Sequence, residues 1–200
     1  MTTSTFSPSV IGWTAIATGV AVIVAVITLI LMYTVNGPFF GTLNDVFNSM
    51  VGILSVILAW MLYAEHHAKA PMMSQLALVL AVAGMIFTII GSVLIIYGYT
   101  DFVLAGWYTG IGNALIGLWL AAICYSMLHR DALPHNLVIF GLIVGSFMTF
   151  GLLGIPGVLA RVDTMTSLPW YLGTSYLGFL GTYILYPIWT IWLGRILLLK

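Results

Sequence analysis

The sequence predicts an all-α fold: a polytopic membrane protein built as a six-helix transmembrane bundle, with a pattern that suggests three tandem two-helix repeats. Three observations carry this expectation. The chain is 62% hydrophobic and only 5% charged, where soluble domains carry about 25% charged residues. Its apolar residues fall into six long unbroken runs, each near the roughly 20 residues that cross a bilayer as a helix. Charge, proline and histidine gather in the short segments between those runs. The 200 residues read as one transmembrane domain.

The first span is expected at about 10–33, a run longer than the core of a secretory signal and without a basic segment before it. It is therefore read as an uncleaved spanning helix. The second follows "NGPFFGTLND" at about 43–63, and the third follows "AEHHAKAP" at about 73–97. The fourth, after "GYTDF", covers about 107–128, and the fifth, after "LHRDALPH", about 136–158. The sixth, at about 172–197, follows "ARVDTMTSLP" and contains Pro187, which should kink it and free a backbone carbonyl. Runs of this length exclude a barrel, whose strands take about 9–11 residues of alternating polarity.

Orientation follows from the cations. Lys69, Arg130, Arg195 and Lys200 fall on the side of the termini, whereas the opposite side carries Arg161 with Asp45, Asp101 and Asp163. Positive residues favour the cytoplasm, so a cell-membrane protein with both termini cytoplasmic is expected. Trp13, Tyr33, Trp60, Tyr63, Tyr97, Trp107, Tyr108, Trp170 and Tyr171 lie near span ends, where an aromatic belt accounts for them. A net charge of zero offers nothing to nucleic acid. Cys124, the single cysteine, reads as a small buried thiol.

The repeat rests on two alignments. "GTLNDVFNSMVGILSVILAW" matches "GWYTGIGNALIGLWLAAICY" through Gly41, Asn48 and Gly52 against Gly106, Asn113 and Gly117. Gly84 and Thr88 likewise match Gly145 and Thr149, with Gly19 in register. Small residues also recur along single faces, such as Asn48, Gly52, Ser55 and Ala59, and as a GxxxG pair at Gly141 and Gly145. In lipid, where packing drives association, such stripes are helix seams.

Polar groups inside the spans are few. Asn48 and Asn113 are read as interhelical glue, bonded to each other or to backbone, or else as facing a polar cavity. Asp45 has two readings. "TLND" fits a capping box, with Thr42 as N-cap and Asp45 at the third helical position. Alternatively Asn44, Asp45 and Asn48 form a small extracytoplasmic polar site under a lid of Asn36, Pro38 and Phe39. On the sixth span Tyr176, Tyr183 and Tyr186 follow helical spacing; with Thr88 or Asn113 they could face a flat, weakly polar molecule such as a quinone. A belt of Tyr186, Trp189 and Trp192 is the alternative. Glu65, His66, His67, His129 and His135, all on the side of the termini, are the candidate haem or metal ligands, though no spacing typical of such sites joins them.

No Lys, Arg, Asp or Glu falls in the middle third of any expected span, which weakens ion-coupled transport and proton pumping. No catalytic motif is present, so no enzyme activity, catalytic residue or cofactor is expected. The stretches "GTLND" and "NALIGLWL", with "YPIWTIWLGR" near the C-terminus, resemble those of bacterial six-helix integral membrane proteins of no assigned function. That resemblance implies the same fold across most of the chain and carries no activity. The expected function is an accessory or hydrophobic-ligand-binding membrane subunit, whose partners are membrane lipids, a quinone-like molecule or other membrane subunits. The alternatives are a redox protein using the histidines and a passive small-molecule transporter with a vestibule at Asp45.

Overall fold

The computed structural model describes residues 6–35, 37–67, 71–128, 133–164 and 169–199. Asn36, Lys69, His129, Arg130 and Lys200 lie outside the described residues, as do the side chains of Pro38 and His66. Six helices are long and apolar enough to cross a membrane. They are α1 (Pro8–Val35), α2 (Pro38–His66), α3 (Pro71–Ile96), α4 (Phe102–Met127), α5 (His135–Leu159) and α6 (Trp170–Leu198). The protein is a multi-pass, all-α membrane protein.

Successive helices pack side by side, and α6 closes the bundle against α1. The most buried helix is α4, which also reaches α2; the least buried is α3. Outward faces carry Ile23, Ile27, Ile30, Leu76, Val79, Ile86 and Ile188, all exposed in the isolated chain. A contiguous apolar surface of this kind suits lipid and not water.

The seams are made where glycine removes the side chain between two backbones. A Cβ on Gly84 of α3 would lie 2.6 Å from the Gly112 carbonyl of α4, and one on Gly112 would lie 2.6 Å from the Gly84 carbonyl. The same reciprocal approach joins Gly117 to Gly145 across α4 and α5, and Gly12 to Gly194 across α1 and α6. Gly141, the other half of the GxxxG pair, instead makes room for Trp189 and Cys124. The glycines aligned in the repeat do not take equivalent places: Gly19 and Gly145 face the preceding helix around the bundle, Gly84 the following one.

Several buried hydroxyls are satisfied along their own helices, whereas those of Ser74 and Thr182 meet no partner among the described residues. Thr18, Thr28, Thr88, Ser92 and Thr190 donate to carbonyls three or four residues back, which suits a medium without water to receive them. The half of the bundle nearer the termini is closed by large side chains. Trp119 meets Trp189 edge-on at 6.5 Å, Tyr186 stacks on Trp189 at 6.3 Å, and the Trp189 indole donates to the Leu137 carbonyl. Tyr186 and Trp189 are fully buried, so neither belongs to an interfacial belt; Trp192 remains partly exposed. Trp107 is likewise buried, at 3% exposure, while Trp13, Trp60, Tyr97 and Trp170 stay exposed near helix ends.

Two helices are irregular in the half away from the termini. In α5, a 3-10 turn at Phe150–Gly154 precedes Pro156. In α6, a π-turn spans Gly181–Leu185 just ahead of Pro187. Proline lacks the N–H that would bond the Tyr183 carbonyl, and the wider turn absorbs the mismatch. Such π-turns are frequent at functional sites.

Candidate functional site

The site starts with where α2 begins. Gly37 is its N-cap in extended conformation, with φ −109° and ψ 113°, and makes no side-chain cap bond. Pro38 takes the first helical position, where a fixed φ and a missing N–H cost nothing. The capping box expected at Thr42 and Asp45 is therefore not formed: both residues lie inside the helix. Asp45 sits seven residues in, about 10 Å along the axis at 1.5 Å per residue. It is 7% exposed, and Asn44 and Asn48 on the same face are also buried.

These three residues meet α1 and α6 through a relay of hydrogen bonds. The Tyr183 hydroxyl donates to Asn48 Oδ1 at 3.1 Å, Asn48 Nδ2 donates to Asn44 Oδ1 at 3.0 Å, and Asn44 Nδ2 donates to the Ala25 carbonyl at 2.8 Å. The first bond links α6 to α2 and the last links α2 to α1. One layer further from the site, Ser55 and Tyr186 share a 2.9 Å hydrogen bond. The Asp45 carboxylate stands beside the relay, with no hydrogen bond and no ion pair among the described residues.

The opposite wall comes from α4, whose start is capped from a distance. Asp101 occupies the N-cap position without a side-chain cap bond. Asp163, from the α5–α6 connection, accepts instead from the Asp101 and Leu104 amides and the Thr100 hydroxyl, each at 3.2 Å. The Trp107 indole donates to the Val162 carbonyl at 3.1 Å, tying the same connection to α4. Arg161, just before these anchors, adopts φ 52°, a left-handed turn that lets the chain bend back over α4.

Between these walls is a cavity of about 270 Å³, just under the roughly 300–1,000 Å³ of ligand pockets. Asn44, Asp45 and Asn48 form its polar wall, and Thr109 of α4, whose hydroxyl lies against Gly91, also lines it. A ladder of rings runs along its depth: Trp107 contacts Tyr176 at 5.6 Å, Tyr176 contacts Phe179 at 5.2 Å, and Phe179 stacks on Tyr183 at 5.6 Å. Tyr33 and Phe102, edge-on at 6.1 Å, stand at the mouth. Those two residues and Asp45 also border a neighbouring cavity between α1, α2 and α3. On its other side, Tyr183 also borders an open groove of about 700 Å³ along α1 and α6, which runs past Trp192 and Arg195 to Leu199.

The structure brings together Asn44, Asp45, Asn48, Tyr176 and Tyr183 from the sequence-based candidates. It leaves others elsewhere. Asn113 lies one turn past Thr109, outside the cavity lining, and its buried Nδ2 has no partner among the described residues; Asn48 bonds Asn44 and Tyr183 instead. Thr88 packs into the α2–α3 seam against Gly52 and donates to Met85, so it faces no cavity. Tyr186 is sealed in the core beside Trp189 because its hydroxyl is held by Ser55. Phe39 is exposed and does not line the cavity; Asn36 and the Pro38 side chain are outside the described residues.

The described candidates on the side of the termini form no cluster. Glu65 accepts from the Phe6 amide at 3.2 Å, His67 stacks on Tyr63 at 5.0 Å, and His135 is exposed at the start of α5. The His66 side chain and His129 are outside the described residues, among which no group of three metal-ligating side chains occurs. Sequence reasoning missed Tyr33, Phe102, Trp107, Thr109 and Phe179: Tyr33 and Trp107 read as belt residues near span ends, and no local spacing marks the other three. Comparison of the chain with protein-family models, curated proteins and solved structures gives no match.

Proposed function

We propose that this membrane protein binds a small, largely apolar molecule in the cavity between α1, α2, α4 and α6, as an accessory or ligand-binding membrane subunit without catalysis of its own. The observation that carries the reading is the cavity itself: an aromatic wall faces a short polar wall, the usual composition of small-molecule sites. The Tyr183–Asn48 and Tyr186–Ser55 bonds, with the Trp119–Trp189 layer beyond, close the bundle past the cavity, which favours binding over passage. The groove on the other side of Tyr183 offers an approach from the lipid. With the termini cytoplasmic by the cation rule, the cavity opens on the extracytoplasmic side.

Gly106 supplies the test. It lines the cavity, and a Cβ there would meet nothing within 4 Å. Gly106→Leu should therefore fill the cavity without disturbing a helix seam. Native mass spectrometry of the protein released from its own membrane should show a bound small molecule that the variant lacks, at an unchanged or raised unfolding midpoint. A ligand retained at equal stoichiometry, or none in the unaltered protein, would overturn the proposal.

A further inference from the structure

We propose that the molecule bound in this cavity is an organic cation, a protonated amine or quaternary ammonium carried on a compact apolar body. This rests on the ligand-binding reading above and names the chemistry of the same site. Among the described residues, Asp45 supplies the one formal charge in the cavity lining, and no Lys, Arg or His lines the cavity. The carboxylate is buried yet meets no hydrogen-bond donor and no cation among the described residues. A carboxylate held away from water keeps its charge only when it is paired and otherwise takes up a proton; an ammonium group in the cavity is such a partner.

The rest of the lining points the same way. Tyr33, Phe102, Trp107, Tyr176, Phe179 and Tyr183 surround the space, and aromatic faces attract cations, most strongly when both are desolvated. The polar side chains beside Asp45 each already donate a hydrogen bond within the protein. The Tyr183 hydroxyl is committed to Asn48, Asn48 donates to Asn44, and Asn44 donates to Ala25. An anion would meet Asp45 and the electron-rich ring faces, whereas an ammonium group gains from both.

The ammonium can belong to a free solute or to the headgroup of a choline or ethanolamine lipid. The probes are choline and its neutral isostere 3,3-dimethyl-1-butanol, titrated by calorimetry into the full-length protein in phosphatidylglycerol nanodiscs. Choline should bind at least tenfold tighter than the isostere. Asp45→Asn, which keeps size and hydrogen-bonding capacity but loses the charge, should weaken choline at least tenfold and leave the isostere unchanged. Glu65→Gln, outside the cavity, should alter neither.

Equal affinity for choline and the isostere, or full choline binding by Asp45→Asn, overturns the cation inference. The comparison of the two probes on the unaltered protein decides the matter even where Asp45→Asn fails to fold. If both probes bind equally and Gly106→Leu abolishes both, only the cation inference fails. If Gly106→Leu changes neither, the cavity reading fails with it. Nanodiscs of phosphatidylcholine supply the last arm: a lower apparent choline affinity there identifies the lipid headgroup as the source, and an equal affinity identifies a free cation.

Discussion

Replacing Gly84 with alanine is expected to destabilise the protein by about 1–3 kcal/mol, the range found when a packed site is overfilled. The added Cβ would lie 2.6 Å from the Gly112 carbonyl oxygen and 2.8 Å from Ile116 Cγ1, whereas ordinary contact begins near 3.4 Å. Relief requires α3 and α4 to part by about 0.8 Å along that line (3.4 less 2.6), because the first neighbour is backbone and cannot rotate aside. Parting them also loosens the seam one and two turns on, where Thr88 packs on Gly112 and Gly91 on Thr109. Gly112→Ala makes the reciprocal contact at 2.6 Å and should cost a similar amount. Either alanine opens the same gap, so the double variant should be less damaged than the sum, by about 0.5–3 kcal/mol. Gly110→Ala is the control: its Cβ meets nothing within 4 Å, and helix propensity favours alanine by up to about 1 kcal/mol. Reversible unfolding in mixed detergent and dodecyl sulfate micelles, followed by near-ultraviolet circular dichroism, measures all four. A Gly84→Ala variant as stable as Gly110→Ala would refute the seam.

Tyr183→Phe removes the donor to Asn48 Oδ1 and should cost about 1 kcal/mol, the net value of one such bond, in the same unfolding assay. Asp163→Ala deprives the first turn of α4 of its acceptor; a loss of about 0.5–2 kcal/mol, typical of a removed cap, should appear with faster hydrogen exchange at Phe102–Ala105. Reporter fusions test orientation: a fusion at Lys200 should be active only in the cytoplasm, and one inserted after Arg161 only outside it. Filling the cavity through Gly106→Leu should remove the bound molecule while sparing the fold.

How much of this was legible from residues alone depended on the range of the interaction concerned. The six spans follow from local properties, run length and hydropathy, and their observed limits differ from the sequence-based ones by a few residues. The exception is instructive. The start of α2 is set by Gly37 and Pro38, a signal present in "NGPFFGTLND", yet the nearby Thr-x-x-Asp pattern competes with it. Choosing the proline start moves Asp45 from a solvated helix end to a buried face, and its meaning changes with it.

Tertiary structure alone decided which polar residues converge. Asn48 and Tyr183 are 135 residues apart, and Leu104 and Asp163 are 59 apart; nothing in the spacing of either pair shows that they meet. A helix face can be read from its period, but which helix it faces depends on where glycines let backbones close in and where Pro187 and the π-turn swing α6. The sequence by itself determined that lipid is the solvent and that six helices cross it, because hydropathy is a property of each segment. The cavity beside Asp45 exists only because four helices arrive there together, and that is a property of the packed chain.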